Sequence, residues 1–352
     1  MRRWLKTFAS GLICATLLPA TGPALAAVDG PKVAWNLSVW GPPRAFTAGI
    51  EAIAAHVSEQ TGGKFTIKIH YGDALSKGPD NLDNIKLGAF EMAQICTGYH
   101  PGKHLGINVL DLPGLPLADP NVHAMVHDVV YQHPYIVNEF KRWNAKILAS
   151  VLQPQSELMG VGEPPLTMAG YKGMRVRALG GTGAALRNLG AVPTSVPAPE
   201  VYNSLERGVF GAAAFPFTYA FAAYKIHEIA KWYTINLAPG ANNCPTIVGL
   251  EPYNKLPPQY RDVLDKSKPI AYAALKKAQE ETDRKNLEEW RKRGLREIRY
   301  SDAELKVFSD NGAAPVWTTW VKENAAKGVP AQELVDLVLR EAEKAKAALA
   351  KK

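Results

Sequence analysis

Residues 173–191, GMRVRALGGTGAALRNLGA, set Arg175 and Arg177 into an otherwise apolar run that leads straight into glycines. A buried strand of this kind tolerates a charge only if the charge has a partner. Arginine stays protonated, and its planar fork matches a carboxylate through two parallel hydrogen bonds. The end of a parallel strand, beside the N-terminus of the next helix, is also where α/β folds take up ligands. Two readings follow for Arg177: it holds an anionic ligand, or it pairs with an internal acid such as Glu200. Arg175, two residues back on the same face, is expected to be solvated.

The glycines themselves resemble a dinucleotide-binding turn, but the motif is incomplete, and a short Gly-rich turn is common between strand and helix. Their expected use is to let a ligand approach the main chain, near helix amides that favour negative charge. His100 and His104 in GYHPGKH are four apart, but Pro101 and Gly102 break the helix that would align them. No HExxH, CxxC or carboxylate-rich loop accompanies them, so no metal is expected. No G-x-S-x-G elbow is present for nucleophilic catalysis either. The aromatics Trp40, Tyr99, Phe215, Phe217 and Tyr219 all fall at or just after predicted strand ends, where together they would line a pocket for a flat or apolar body.

Alternating elements must position these residues. AWNLSVWG reads as a strand, and the stretch from Phe46 sets Phe46, Ile50, Ile53 and Val57 on one helical face. TGGKFTIKIHYG is a turn and a strand in which Phe65, Ile67 and Ile69 alternate with Lys64, Thr66 and Lys68. NLDNIKLGAFEMAQIC gives a short helix and a buried strand, and KILASVLQ a further strand. The theme repeats in MRVRAL, TGAALRNLG, PAPEVYNSLERG and VFGAAAFPF. A long charged helix bent at Pro269 and a lysine-rich C-terminal helix follow. Strands alternating with helices predict an α/β protein with mostly parallel sheets.

MRRWLKTFASGLICATLLPATGPALA, residues 1–26, reads as a secretory signal peptide: a basic start, an apolar stretch and a small-residue end. Its removal takes three basic and no acidic residues, so the formal charge falls from +8 to +5. That mild, dispersed excess argues against a nucleic-acid partner and suits an anionic small ligand. Cys96 and Cys244 remain; an oxidising compartment permits their pairing, which sequence alone leaves open.

Taken in order, several of these segments resemble the solute-binding proteins of tripartite ATP-independent periplasmic (TRAP) transporters, the dicarboxylate-binding-receptor type. The likeness runs from about residue 34 to about residue 290. It is carried by TGGKFTIKIHYGDAL, NLDNIKLGAFEMAQ, LPGLPL, YNKLPPQYRDVLDKS and above all YKGMRVRALGGTGAALRNLGAVPTSVPAPEVYNSLERGV. The resemblance implies a two-lobed periplasmic-binding-protein-like fold whose chain crosses between lobes, with a long hinge-spanning helix. Lobe I is expected over 27–151 with part of 237–280, and lobe II over 152–236 with part of 281–352, including the long and C-terminal helices. It also implies a periplasmic monomer that closes on an organic acid and delivers it to membrane permease subunits. The second cation of the family's K-x-R strand, which binds carboxylate, falls on Arg177.

Departures from the family bear on the ligand. Residues 210–216 read Phe-Gly-Ala-Ala-Ala-Phe-Pro, so Ala214-Phe215 stands where a cation-binding subgroup has Glu-Trp. No metal or other cofactor is therefore expected. With Arg177 as the one fixed cation and Phe215 opposite it, an aromatic or apolar monocarboxylate fits better than a small dicarboxylate. Trp40, Thr97, Tyr99, Gln155 and Tyr219 complete the expected site. The alternatives are a periplasmic enzyme acting on an organic acid and a ligand sensor for a signalling receptor.

Overall fold

The computed structural model describes residues 27–351; the expected signal peptide lies outside them. Two sheets carry the chain. The first has strands β1 (Val33–Ser38), β2 (Phe65–His70), β3 (Met92–Gln94) and β4 (Ala145–Ser150). The second holds β5 (Ser156–Gly160), β6 (Arg175–Arg177), β7 (Val192–Thr194), β8 (Ala212–Pro216) and β9 (Trp232–Thr234). The chain then returns β10 (Pro245–Gly249) to the first sheet and β11 (Arg296–Ile298) to the second. Strand orders are β2-β1-β3-β10-β4 and β11-β9-β5-β8-β6-β7.

Each sheet has one reversed strand, and topology explains which. β10 runs antiparallel to β3 and β4, and β5 antiparallel to β8 and β9, while the remaining neighbours are parallel. These are the strands that enter directly from the other sheet, through residues 151–155 and 235–244. A chain arriving at the ends of the parallel strands has to run back from that edge. The sheets are therefore mixed, with all other strands of each pointing at the junction between them.

Local sequence accounts for the elements that frame this junction. On the edge strand β2, Phe65 and Ile67 are buried while Thr66 and Lys68 are exposed, the period-2 pattern of a half-covered strand. The helix Ala48–Gln60 buries Gly49, Ile50, Ile53 and Val57. It packs along the helix Lys268–Lys292, which also meets the helix Tyr219–Ala223 of the second sheet. Pro269 does not bend that long helix from within. The helix Pro258–Lys266 ends first, and Pro269 lies in the opening turn of the next, where its missing N–H costs nothing.

The C-terminal helix Ala331–Leu349 packs on the helix Pro120–Tyr131, which precedes β4 of the first sheet. Leu334, Val335, Leu337 and Val338 meet Val122, Val126 and Val130 in one buried cluster. This corrects its expected place in lobe II: the apolar stripe finds its complement on the first sheet's helix. Among the described residues no helix is long and apolar enough to cross a membrane.

Cys96 follows β3, Cys244 precedes β10, and the two form a disulfide across these neighbouring strands, 148 residues apart in sequence. Such a bond removes loop entropy from the unfolded chain. Replacing both cysteines by serine is expected to cost about 2–4 kcal/mol, measured by denaturant unfolding. An unchanged midpoint would mean that the bond contributes nothing.

Candidate functional site

Arg177 ends β6, where β6 pairs in parallel with β8. Its side chain is 2% exposed. Nε–H donates to the Val196 carbonyl (3.0 Å) and Nη1–H to the Ala214 carbonyl (2.8 Å), while the guanidinium carbon stacks 4.4 Å from the Phe215 ring centroid. Burial pulls the guanidinium pKa down, opposed by the hydroxyls of Tyr99 and Tyr224. Among the described residues no Asp or Glu makes an ion pair with it; Glu200 is exposed on the surface. The internal ion pair is thereby set aside. Two carbonyls use two of five donors, and the charge itself is uncompensated. Arg175 is exposed, and its Nη2–H donates to the Gly208 carbonyl (2.8 Å).

A cavity opens beside Arg177, lined from the first sheet's side by Trp40, Arg44, Phe46, Cys96, Tyr99 and Gln153. Leu179, Ala198, Phe215, Tyr219 and Tyr224 face them from the second. Trp40 packs edge-on to Tyr99 (5.6 Å) and tilted on Phe46 (5.1 Å), and Phe215 stacks on Tyr224 (5.6 Å). Two tyrosine hydroxyls make contacts that bridge the junction. The Ala198 amide donates to Tyr99 Oη (2.9 Å). Tyr224 Oη lies against Gly41, whose φ of +68° and missing side chain make room for it. The remaining volume is ≈ 30 Å³, space for about two waters. An organic acid enters only when the walls draw apart.

Of the expected residues, Arg177, Phe215, Trp40, Tyr99 and Tyr219 come together around this cavity. Thr97 and Gln155 do not. Thr97 is fully buried, with its hydroxyl against Asp111 and the Asn243 carbonyl, facing a separate ≈ 400 Å³ cavity. Gln155 lines a third space with His123 and His127. Leu152 has φ +46°, so the crossing segment is not a strand and sequence alternation there says nothing about facing. Gln153 takes the position at the Arg177 cavity instead. Its single signal was a polar side chain just past β4.

Arg44 was missed, though it too follows a strand end, in WGPPRAF. It corrects the expectation of one cation. Nη1 donates to the carbonyls of Trp40 (2.9 Å) and Pro42 (2.8 Å), and the guanidinium lies 4.4 Å from the Phe46 ring centroid and 5.6 Å from that of Tyr224. It is half-buried, so solvent compensates part of its charge. The glycines after Arg177 also have a different use from the expected one. Gly180 and Gly181 open the helix Gly180–Asn188, and a Cβ on Gly181 would overlap the Asp111 carbonyl. The main chain they admit is the protein's own.

Asp111 contributes to the same junction. Its Oδ1 accepts from the Asn243 amide (2.6 Å), and Oδ2 lies 2.6 Å from Thr97 Oγ1. Thr97 has one proton and also faces the Asn243 carbonyl (2.9 Å), which only accepts. That carbonyl already accepts from the Thr97 amide (3.0 Å), which leaves the Thr97 hydroxyl proton free to go to Asp111 Oδ2. Burial pushes its pKa up to about 7.

Residues 38–324 match the family of bacterial extracellular solute-binding proteins, family 7. The chain belongs to that family. A solute-binding protein of Albidiferax ferrireducens is 24% identical over 78% of this chain and 81% of its own. A monocarboxylate 2-oxoacid-binding periplasmic protein of a Nostoc species is 23% identical over 74% and 73%. Two TRAP solute-binding protein structures share the fold of this family 7 chain. One, from a marine metagenome and solved with 3-hydroxybenzoate, has a TM-score of 0.80 at 19% identity, covering 90% of this chain and 99% of that one. The other, from Rhodoferax ferrireducens with copurified benzoate, has a TM-score of 0.79 at 20% identity, covering 90% and 99%. The two-lobed α/β architecture and the TRAP resemblance read from the sequence both hold.

The Asp111 geometry gives a pH test. A raised folded pKa adds stability below the ordinary value of 3.8 that is lost as pH rises through about 7. Asp111→Asn removes this titration, so its stability relative to wild type should improve from pH 5 to about pH 7 and level off above that. A pH-independent difference in urea midpoints would contradict a raised Asp111 pKa.

Proposed function

We propose that this family 7 protein is the periplasmic receptor of a TRAP transporter. It binds an organic acid with an aromatic or apolar body, a monocarboxylate, between its lobes and hands it to the membrane permease. The observation that carries this reading is the buried Arg177 guanidinium without an acid partner at a cavity walled by rings. A carboxylate supplies the missing charge and takes up donors that the Val196 and Ala214 carbonyls leave. Contacts made from both sheets favour the closed arrangement once the acid is in place, which is hinge closure driven by differential binding. The crossing segments 151–155 and 235–244 are the hinge in this account.

The wall supports the aromatic body. Burying a ring against Trp40, Phe215 and Tyr219 is worth about 25 cal/mol per Å² of apolar area, with further gain from edge and offset contacts. A second carboxylate has less to gain. Arg44 already gives both hydrogens of Nη1 to carbonyls and is partly solvated. The receptors of aromatic acids among the structural neighbours agree with this preference. In this reading the bound acid leaves unchanged.

Competition between benzoate and succinate on the purified protein tests the reading. Benzoate is expected to bind at least ten-fold more tightly, and tighter succinate would contradict an aromatic pocket. Arg177→Lys should fold yet lose most of the benzoate affinity, because a point charge cannot copy the fork. Near-native affinity in that variant would remove Arg177 from the site. Chelation should leave binding intact, since the Ala214 carbonyl is committed to Arg177 and its side chain is a methyl; a signal lost with chelator and restored by calcium or sodium would restore a cation to the mechanism.

A further inference from the structure

Two buried polar atoms of residues lining the Arg177 cavity have no hydrogen-bond partner among the described residues: Gln153 Oε1 and Tyr224 Oη. Gln153 is 6% exposed, so bulk solvent does not reach its oxygen, and a ligand donor would replace any water held in the cavity. The orientation of its amide is decided by the disulfide. Nε2 lies 2.8 Å from Cys244 Sγ and 3.7 Å from Cys96 Sγ. A disulfide sulfur has lone pairs and no proton, so the amide presents N–H to it. Turning the amide over would set oxygen lone pairs against sulfur lone pairs. The carbonyl oxygen is thus held away from the sulfurs, and it can only accept. Leaving such an atom dry costs about as much as losing a hydrogen bond outright.

The other charged and aromatic donors at the cavity do not turn to this oxygen. Arg177 uses the Val196 and Ala214 carbonyls, Arg44 those of Trp40 and Pro42, and Tyr99 Oη accepts from Ala198. A simple apolar carboxylate satisfies Arg177 and does nothing for Gln153. We infer that Gln153 is a specificity-determining residue that selects aromatic acids carrying a hydroxyl group, whose proton Gln153 Oε1 accepts while the carboxylate sits on Arg177. Tyr224 Oη gives its own proton to a ligand oxygen in the same complex. The disulfide is the positioning group: it fixes which end of the Gln153 amide faces the ligand. This rests on the reading of Arg177 as the carboxylate site.

A site built around a buried acceptor rejects the analogue that cannot donate, more sharply than an apolar pocket rejects a change in size. Fluorine is close to hydroxyl in size and has no proton, which makes the comparison clean. Calorimetry on the wild-type protein with 2-, 3- and 4-hydroxybenzoate and the matching fluorobenzoates reads the hydroxyl term directly. At one ring position the hydroxy acid is expected to bind at least ten-fold more tightly than its fluoro partner, and in Gln153→Met that ratio should fall to about one. Equal affinities at all three positions, or a ratio that survives in Gln153→Met, would overturn the assignment. The wild-type panel decides the matter even where the variant fails to fold. If no benzoate of the panel binds at all, the aromatic-acid reading fails along with it; if fluoro and hydroxy acids bind alike, only the role of Gln153 falls.

Discussion

The site depends on one uncompensated charge. Arg177 is anchored by two carbonyls and stacked on Phe215, and its neighbours are tyrosine hydroxyls instead of carboxylates. Taking a cation out of water costs several kcal/mol even after relaxation. The fold carries that cost because β6 and β8 pair in parallel and bring the backbone carbonyl of Ala214 within reach. In the proposed function an arriving carboxylate repays it, and ligand binding and closure of the two walls become parts of one equilibrium. The Tyr99 contact to Ala198 and the Tyr224 contact at Gly41 belong to the same closed arrangement.

Strand direction organises the rest. All strands but β5 and β10 run toward the junction, and four of them deliver a side chain to the cavity: Trp40 after β1, Tyr99 after β3, Arg177 at the end of β6 and Phe215 near the end of β8. The two reversed strands are the return paths of the chain. They place the disulfide and Gln153 beside the same cavity. The long helix Lys268–Lys292 lies against helices of both sheets.

Much of this was legible in the sequence, for identifiable reasons. Arg177 stood out because an apolar strand cannot hold a free cation, and the ring set stood out by its place after strand ends. Long elements with clean periodicity, such as Phe65–His70 and Ala48–Gln60, were equally readable. What escaped depends on contacts distant in sequence. Strands β9 and β11 are three residues each and are defined by one another across more than sixty residues. Thr97 looks like a ligand residue until Asp111 and Asn243 claim its hydroxyl. Gln155 looked equivalent to Gln153 until the backbone turned at Leu152. Glycines 180 and 181 suggested a ligand approach, and what approaches is the Asp111 loop.

The most direct measurement of the central claim is a crystal structure of the protein with a bound aromatic acid. Both carboxylate oxygens are expected at charge-assisted hydrogen-bond distance from the Arg177 guanidinium, about 2.7–2.9 Å, with the ring between Phe215 and the Trp40 side of the cavity. A carboxylate seated on Arg44, or in the ≈ 400 Å³ cavity beside Asp111 and Trp320, with Arg177 untouched, would contradict it.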